Sequence, residues 1–494
     1  MKLDSERYEA LRARDPRFDG QFFVAVKTTG IYCRPVCPAR TPRASSCVFH
    51  ESAASAERAG FRPCLRCRPE LAPSPLAVSL EEALFAAIRV RAIHGDSVDD
   101  FAAQAGFSAR QLRRLIVRAF GVTPVEIAQT ERLLFAKKLL QETDLPATQV
   151  ALSAGFKSLR RFNALFRTRY ALSPTALRRQ PSAVRLQNHA TSAGTVKLRL
   201  MYRPPLAWQE LLGYLSRRAI PGVETVRASE ESYARTVSIS GHTGWVHVQH
   251  SRQDPGLDVT LSANLAPVSW QILTQLRALF DLDANPAAID AHLRRDPQLA
   301  PGVRKHPGLR VPGAWETFEL AVRAVLGQQI SVAGATTLSG RLAARFGGAV
   351  ETPFDELRRL APTAHELASA ELSEVASIGL PVARAATLCA LAEAALQGEL
   401  TFTPMTQMDD AVAALRRIPG IGDWTAQYIA MRALRYPDAF PAGDLGVRKA
   451  LAARNSILPT EKQAQSRSEK WRPWRAYATL HLWQSLHDSS SSSS

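Results

Sequence analysis

Residues 415–449 read LRRIPGIGDWTAQYIAMRALRYPDAFPAGDLGVRK. Ile418-Pro419-Gly420-Ile421-Gly422 separates two helix-period patterns, the second running from Trp424 to Leu434. Two glycines two apart let backbone come close to something flat or charged. The helix start behind them offers unpaired N–H groups, a ready phosphate site. Taken alone, such a turn can equally be a plain helix corner. Further on, Asp444 stands in Pro441-Ala442-Gly443-Asp444-Leu445-Gly446-Val447-Arg448-Lys449, a carboxylate at the mouth of a basic helix start.

Leu415-x-x-Ile418-Pro419-Gly420-Ile421-Gly422-x-Trp424-Thr425-Ala426, followed by Phe440-Pro441-Ala442-x-Asp444, resembles the helix-hairpin-helix glycosylases, and within them the 3-methyladenine-DNA glycosylase II type. The resemblance implies that the amides of Gly420 and Gly422 hold a DNA phosphate and that Asp444 is the catalytic carboxylate. The chemistry suits the residue. Breaking an N-glycosidic bond builds positive charge on the sugar, and a nearby carboxylate stabilises it. An N-alkylated purine is already a good, cationic leaving group. Members with lyase activity carry a Lys directly after the hairpin Gly-x-Gly-x; this chain has Trp424 there, so a monofunctional enzyme that leaves an abasic site is expected. Relatives also hold a monovalent cation on hairpin carbonyls, here those of Arg416, Ile418 and Ile421.

Upstream, the run from Trp315 to Val332 is a second family-like signature. In relatives the residue at Gln329 is often a wedge that fills the hole left by a flipped base, and here it is polar. A base in a duplex is reached by flipping it out, and an aromatic cleft attracts a cationic base. Trp424 and Tyr428, four apart on one helix, supply one wall. Trp483, in Leu480-His481-Leu482-Trp483, matches a cleft aromatic of the relatives, and Trp315 is a weaker candidate. Core packing is the competing role for each. An iron–sulfur cluster is excluded, since Cys389 is the only cysteine past Cys67.

Four of the six cysteines have metal spacing, Cys33-x-x-x-Cys37 and Cys64-x-x-Cys67. In a reducing compartment such pairs are far more often zinc ligands than disulfides. Cys47 has no partner spacing. His50 is a fifth candidate ligand, but four thiolates already complete a tetrahedron. Phe22 to Cys37 and Ala59 to Cys67 resemble the amino-terminal domain of the Ada methylation-response protein, over most of residues 5–70. That resemblance implies one Zn2+ held by Cys33, Cys37, Cys64 and Cys67, with Cys33 accepting a methyl group from a methylated DNA phosphate. A plain zinc clip is the alternative.

Between the cysteines and the glycosylase-like part, Ala-Gly-Phe-x-Ser occurs twice, at Ala105 and Ala154. Each copy precedes apolar positions at helical spacing, which fits a helix-turn-helix. Val125 to Leu140 is expected to be an amphipathic spacer. The pair, closed by Ser173-Pro174, resembles the AraC-type DNA-binding domain. The usual Gly before that closing segment is replaced by Tyr170-Ala171-Leu172. Candidate base and phosphate readers are Arg110, Arg113 and Arg114 in the first recognition helix and Ser158, Arg160, Arg161 and Asn163 in the second. Any one of them could instead be a solvated face.

Charge agrees with a polyanion as partner. Residues 1–190 hold 30 Lys and Arg against 17 Asp and Glu, and the rest 32 against 28. Pro69, Pro73 and Pro75 mark a linker, and 180–194 reads as another. Alternation at 196–200, 236–240, 246–248 and 258–261, with helical patterns at 206–218 and 268–280, implies an antiparallel sheet with helices on one face. His242, His247 and His250 are separated by strand alternation. The final Ser489–Ser494 run is of low complexity and expected to be disordered.

The expected chain is therefore multidomain and mainly α with an α+β subdomain. A zinc-binding methyl-acceptor domain spans 1–74 and an AraC-type double helix-turn-helix 75–185. An α+β glycosylase subdomain spans 192–310 and a helix-hairpin-helix glycosylase core 311–488. The expected partners are double-stranded DNA, both alkylated and promoter, and RNA polymerase. Without an 18-residue apolar stretch or an apolar run after the first residues, neither a membrane span nor a signal peptide is expected, and the location is cytoplasmic. The Pro-Cys-His-Arg site of the O6-alkylguanine transferase module is missing from the sequence, so repair of O6-methylguanine is not expected. Rival readings are a regulator with an inert glycosylase half, and a glycosylase whose zinc part only binds DNA.

Overall fold

The computed structural model describes residues 2–74, 79–92, 97–179, 194–251, 254–402, 406–452 and 457–491. Most of the polar stretch read as a linker, 180–193, and serines 492–494 lie outside them. The serines before those three continue the last helix.

The cysteine-bearing part is a small sheet, an element its sequence did not announce. After α1 (Lys2–Ala13) come β1 (Phe23–Val26), β2 (Ile31–Cys33), β3 (Cys47–His50), α2 (Ala53–Arg58) and β4 (Arg62–Pro63), with strand order β3-β1-β2-β4. β4 runs parallel to β2, pairing Ile31 with Arg62 and Tyr32 with Pro63. That register sets Cys33 and Cys64 side by side, and the Cys64 amide donates to the Tyr32 carbonyl at 3.0 Å.

Helices follow: α3 (Leu80–Arg91), α4 (Val98–Gln104), α5 (Ala109–Phe120), α6 (Pro124–Glu142), α7 (Ala147–Ser153), α8 (Leu159–Tyr170) and α9 (Pro174–Arg179). α4–α5 and α7–α8 are the two expected helix-turn-helix units. Gly106 and Gly155 turn each corner at φ +78° and +77°, where a β-carbon would be strained. Ser108 and Ser158 then cap the second helix of each unit. α5 ends at Gly121 in the left-handed region. α8 ends the same way at Ala171, φ +52°, without the glycine.

The spacer helix α6 is not amphipathic. Leu133, Phe135, Ala136, Leu139 and Leu140 are buried, and so are Lys137, Lys138 and Glu142. The zinc domain packs on one side of α6 and the glycosylase sheet on another, and only its first half, at Val125, Gln129 and Arg132, still meets an open groove. Its charges are matched internally. Lys137 pairs with Glu70 at 2.6 Å, Lys138 with Glu142 at 2.8 Å, and Arg68 with both acids. Breaking one such buried pair costs about 3–5 kcal/mol, although the intact pair adds little net stability.

The second half opens with β5 (Thr195–Met201) and α10 (Trp208–Ser216), then β6 (Glu224–Arg227), β7 (Ser232–Ile239), β8 (His242–His250), β9 (Gly256–Ser262) and α11 (Ser269–Leu279). The five strands run antiparallel in the order β5-β9-β8-β7-β6. Only edge strand β6, Glu-Thr-Val-Arg, escaped the alternation pattern. The three histidines part ways. His242 Nδ1 meets the Asn264 carbonyl at 3.1 Å, His247 stacks on Phe354, and His250 meets the Tyr202 hydroxyl at 2.6 Å.

The remainder is helical: α12 (Pro286–Leu293), α13 (Ala300–Lys305), α14 (Thr317–Leu326), α15 (Val332–Phe346), α16 (Ala364–Ala368), α17 (Leu372–Ala376), α18 (Val382–Leu396), α19 (Met408–Arg416), α20 (Asp423–Arg432), α21 (Leu445–Leu451), α22 (Glu461–Ser468) and α23 (Arg475–Ser491). One continuous apolar core reaches from α6 through the sheet to α23. Trp315 belongs to that core and not to a cleft; the buried Arg235 guanidinium lies 4.5 Å from its ring centre. Among the described residues no helix is long and apolar enough to cross a membrane.

Candidate active site and metal centre

The hairpin joins α19 to α20. Gly420 sits at φ +84°, and a β-carbon there would lie 2.0 Å from Thr387 Oγ1, so the fold itself requires this glycine. Gly422 is different. It is the N-cap of α20 in extended backbone, and nothing lies within 4 Å of where its β-carbon would be. Its missing side chain leaves the helix start open from outside. Gln328, at the end of α14, ties the next loop to the hairpin by donating to the Gly420 carbonyl at 3.0 Å and to Thr425 Oγ1 at 3.2 Å.

Asp444 caps α21, its Oδ1 accepting the Val447 amide at 2.8 Å. The same oxygen accepts the Trp483 indole N–H at 2.9 Å, and Oδ2 accepts that of Trp424 at 3.0 Å. Three N–H donors on three segments thus fix the carboxylate. Gly446 keeps the space beside it, since a β-carbon there would press within 3.1 Å of both Asp444 Oδ1 and Trp483.

Around this carboxylate opens a cleft of about 430 Å³, the size range of small-ligand sites. Trp424 and Tyr428 stack at 5.4 Å and 15°, and Tyr214 and Trp483 at 6.3 Å and 17°. The expected aromatics therefore meet. Gln329 does not line the cleft; Gly327, Ile330, Ser331 and Val332 around it do. Gln329 is exposed at the loop tip in the left-handed region, φ +58°, a strained state for a residue with a β-carbon.

Sequence reasoning missed the rear wall. Arg432 Nη1 donates to the Tyr428 hydroxyl at 2.7 Å, and the Tyr214 hydroxyl stands 3.2 Å from that of Tyr428. Arg432 is anchored by Nε to the Pro312 carbonyl and by Nη2 to that of Gly313, both at 2.7 Å. The Arg218 guanidinium covers the Tyr214 ring at 3.8 Å. Burial opposes ionisation of Tyr428, but the Arg432 and Arg218 charges outweigh it and bring the phenol down to about 7. Tyr214, mainly through burial, is pushed up to about 12. Tyr214 and Arg218 lie about two hundred positions from Tyr428, and only their four-residue helical spacing was visible.

The four cysteines converge. Their sulfurs lie within 4.8 Å of one another, and all four ligand ends are buried. Thiolates each about 2.3 Å from one tetrahedral Zn2+ fall within that span. As whole residues, Cys37, Cys64 and Cys67 are buried and Cys33 is partly exposed. Left to themselves the thiols share protons. Contacts with one another drive Cys64 far below the ordinary thiol range and Cys37 to about 7, and push Cys33 above it. Only a central cation lets all four ionise together, and the donor set is one that takes zinc. His50 packs at a tilt against Phe61, ring centres 6.0 Å apart, and Cys47 donates to the Arg43 carbonyl.

On the helix-turn-helix units, Arg110, Arg113, Arg114, Arg160 and Arg161 are exposed and Asn163 is half-buried. The Ser158 hydroxyl is engaged by the Arg161 amide as a helix cap. Ser158 and Arg161 also line a groove between the units, with Arg91 and Arg132.

Four family descriptions match the chain. They are the metal binding domain of Ada over 6–70, a helix-turn-helix domain over 101–180, the AlkA N-terminal domain over 197–316, and the HhH-GPD superfamily base excision DNA repair protein over 322–476. The last two define the second half as a helix-hairpin-helix DNA glycosylase. A protein of Mycobacterium tuberculosis described as a probable bifunctional transcriptional activator/DNA repair enzyme AlkA is 40% identical over 98% of this chain and 97% of its own. This chain therefore belongs to the family of bifunctional transcriptional activator/DNA repair enzymes of the AlkA type. DNA-3-methyladenine glycosylase 2 of Escherichia coli is 37% identical over 58% of this chain and 95% of its own. The bifunctional Ada enzyme of Escherichia coli is 35% identical over 31% of this chain and 43% of its own. Among solved structures, a 3-methyladenine DNA-glycosylase from Archaeoglobus fulgidus shares the fold of the second half, with a TM-score of 0.51 and 20% identity over 58% of this chain and 96% of its own. The metal centre is accordingly a zinc site, and DNA is the partner.

Proposed function

We propose that the second half hydrolyses the N-glycosidic bond of N-alkylated bases such as 3-methyladenine, and that Cys33 takes methyl groups from DNA methylphosphotriesters. The observation that carries the first claim is the Asp444 carboxylate, fixed by three N–H donors at the floor of an aromatic cleft. A flipped base stacks between the Trp424–Tyr428 and Trp483 faces, while Gly420 and Gly422 hold a phosphate. As the C1′–N bond breaks, positive charge grows on the sugar and Asp444 stabilises it. Water adds its hydroxyl to C1′ and releases its proton to solvent, the cationic base leaves neutral with the bonding electrons, and an abasic site remains. With Trp424 following the hairpin glycines and no lysine there, strand cleavage is not part of the reaction. Gln329 at the strained loop tip enters the duplex beside the flipped nucleotide. The cation proposed on the Arg416, Ile418 and Ile421 carbonyls shares the Ile418 oxygen with the Ile421 amide, 3.1 Å away.

In the first part, zinc keeps the cage sulfurs as thiolates, and so nucleophilic, at neutral pH. Cys33 is the ligand with exposed surface. Its sulfur attacks the methyl carbon, the carbon–oxygen bond breaks, and the phosphodiester leaves with its charge restored. One thiolate has become a neutral thioether, so the cage repels DNA phosphate less and promoter binding tightens. Arg110, Arg113, Arg114, Ser158, Arg160, Arg161 and Asn163 face that DNA. RNA polymerase as a partner, a cytoplasmic location and the unit limits 1–74, 75–185, 192–310 and 311–488 complete the reading.

The test is incubation with methylated duplex DNA, following released bases and protein mass together. Wild type should release 3-methyladenine and gain one methyl. Asp444→Asn should lose about 10²–10³-fold in release and keep the methyl gain; Cys33→Ser should do the reverse. Release unaffected by Asp444→Asn, nicking by wild type that the variant lacks, or the methyl on another cysteine would each overturn its part.

A further inference from the structure

The cleft is meant for a cation, yet its rear wall is lined with cations. Arg432 touches the Tyr428 hydroxyl, Arg218 covers Tyr214, and Arg323 on α14 lies along the same wall. A positively charged base entering this space meets repulsion unless something offsets it. Asp444 sits at the edge of the Trp424 ring, held by its indole N–H at 3.0 Å.

We propose, on the reading of the second half as a glycosylase of alkylated bases, that Tyr428 is the charge-selecting wall of the cleft, ionised by Arg432 and Tyr214, whose phenolate makes the stacking face attractive to a cationic base. The geometry singles out Tyr428 over Tyr214. Its oxygen lies within reach of two N–H or O–H donors, Arg432 Nη1 and the Tyr214 hydroxyl, and a phenolate accepts both. The two tyrosines share one proton between them, and it stays on Tyr214. The proton lost from Tyr428 goes to water through the open mouth of the cleft. Arg432 and the phenolate then form a neutral pair, and the anionic ring remains face to face with Trp424 at 5.4 Å.

The other cations around the ring favour the same state. Arg218 at the end of α10 and Arg323 on α14 are positive, and Glu224 of β6 acts on Arg432 from behind. His487 on α23 and Asp444 at the start of α21 stand at the mouth. Burial opposes it, and so do the nearby Glu224 and Asp444 carboxylates. The phenol of about 7 described above places the transition inside the working pH range, well below the ordinary tyrosine value near 10.

Two measurements test this together, between about pH 6 and about pH 9. The first is tyrosinate absorbance, wild type minus Tyr428→Phe, which should titrate with a midpoint near neutrality. Tyr214→Phe, lacking the hydroxyl donor, should move that midpoint upward. The second is single-turnover release of 3-methyladenine, corrected for spontaneous loss. It should rise about tenfold across the same transition in wild type and stay flat in Tyr428→Phe. A tyrosinate signal absent below about pH 9, or release that ignores the transition, would overturn the proposal. Release absent at every pH with the titration intact would instead break the glycosylase reading and leave the ionisation standing.

Discussion

Gly420 and Gly422 look interchangeable as letters, and the hairpin uses them for opposite reasons. At Gly420 a methyl would meet Thr387 Oγ1 at 2.0 Å in a backbone already at φ +84°. Strain and overpacking together make Gly420→Ala destabilising by about 2–4 kcal/mol, read as a fall in denaturation midpoint. At Gly422 the methyl meets nothing, so Gly422→Ala should cost about 1 kcal/mol or less as an N-cap change. It should weaken duplex DNA binding nonetheless, because the methyl occupies the approach of the phosphate. Equal destabilisation by both, or DNA affinity unchanged in Gly422→Ala, would refute this division. At this scale the sequence was a good guide. The four cysteines converge as their spacing predicted, Trp424 and Tyr428 share a wall as theirs did, and Asp444 and Trp483, pointed out by the resemblance, stand in the same cleft. Trp315 does not, since an aromatic at a helix start has the same signature in a core as in a cleft.

Among elements, α6 departs furthest from expectation. Its apolar stripe was visible, but the burial of its polar side depends on partners from both halves of the chain. One consequence is a carboxyl in an apolar seam. Glu57 on α2 accepts from the Tyr32 hydroxyl at 3.0 Å and from Thr130 of α6 at 2.9 Å. Burial pushes it up to about 7 from an ordinary 4.5. The folded protein thus holds a proton that the unfolded chain releases over this range. The contribution of Glu57 to stability is full below its ordinary value and is lost as pH rises through about 7. Between about pH 5 and about pH 8, wild type should lose about 2 kcal/mol more than Glu57→Gln, whose side chain does not titrate. Denaturant titrations of the two at both pH values decide it, and parallel losses would sink the argument. The small zinc-domain sheet was unread for a related reason. Its strands are two to four residues long, too short for period-two alternation to stand out.

The whole molecule is held together by contacts no motif announces. Arg203, 2% exposed just past β5, donates Nε and Nη2 to the Asp19 carbonyl at 3.1 and 2.9 Å. Its Nη2 also reaches the Pro73 carbonyl at 3.1 Å, and its Nη1 the Asp283 carbonyl at 2.7 Å. The Asp19 carboxylate pairs with Arg34, the residue after Cys33, and the Arg34 amide donates to Cys67 Sγ at 3.3 Å. The segment read as a linker is pinned too, its Ser74 amide donating to Asp283 at 2.9 Å. The zinc cage is thereby docked on the glycosylase half. Arg203→Ala leaves three buried carbonyls short of a donor, a loss of about 3 kcal/mol. Calorimetry should show one unfolding transition in wild type and two in the variant, as the halves uncouple. A single transition at the wild-type temperature would mean the docking carries no energy.

Zinc ligation, the two helix-turn-helix units, the hairpin and its aspartate were legible because each is local chemistry. Ligands three or four apart, a glycine at a corner and a carboxylate at a helix start carry their meaning in a few consecutive letters. The guanidiniums behind Tyr428, the buried flanks of α6 and the union of the two halves were not legible. They arise between residues tens to hundreds of positions apart, each ordinary where it stands. Burial and the field of neighbouring charges are properties of a packed volume, and they come into being only when the chain closes on itself.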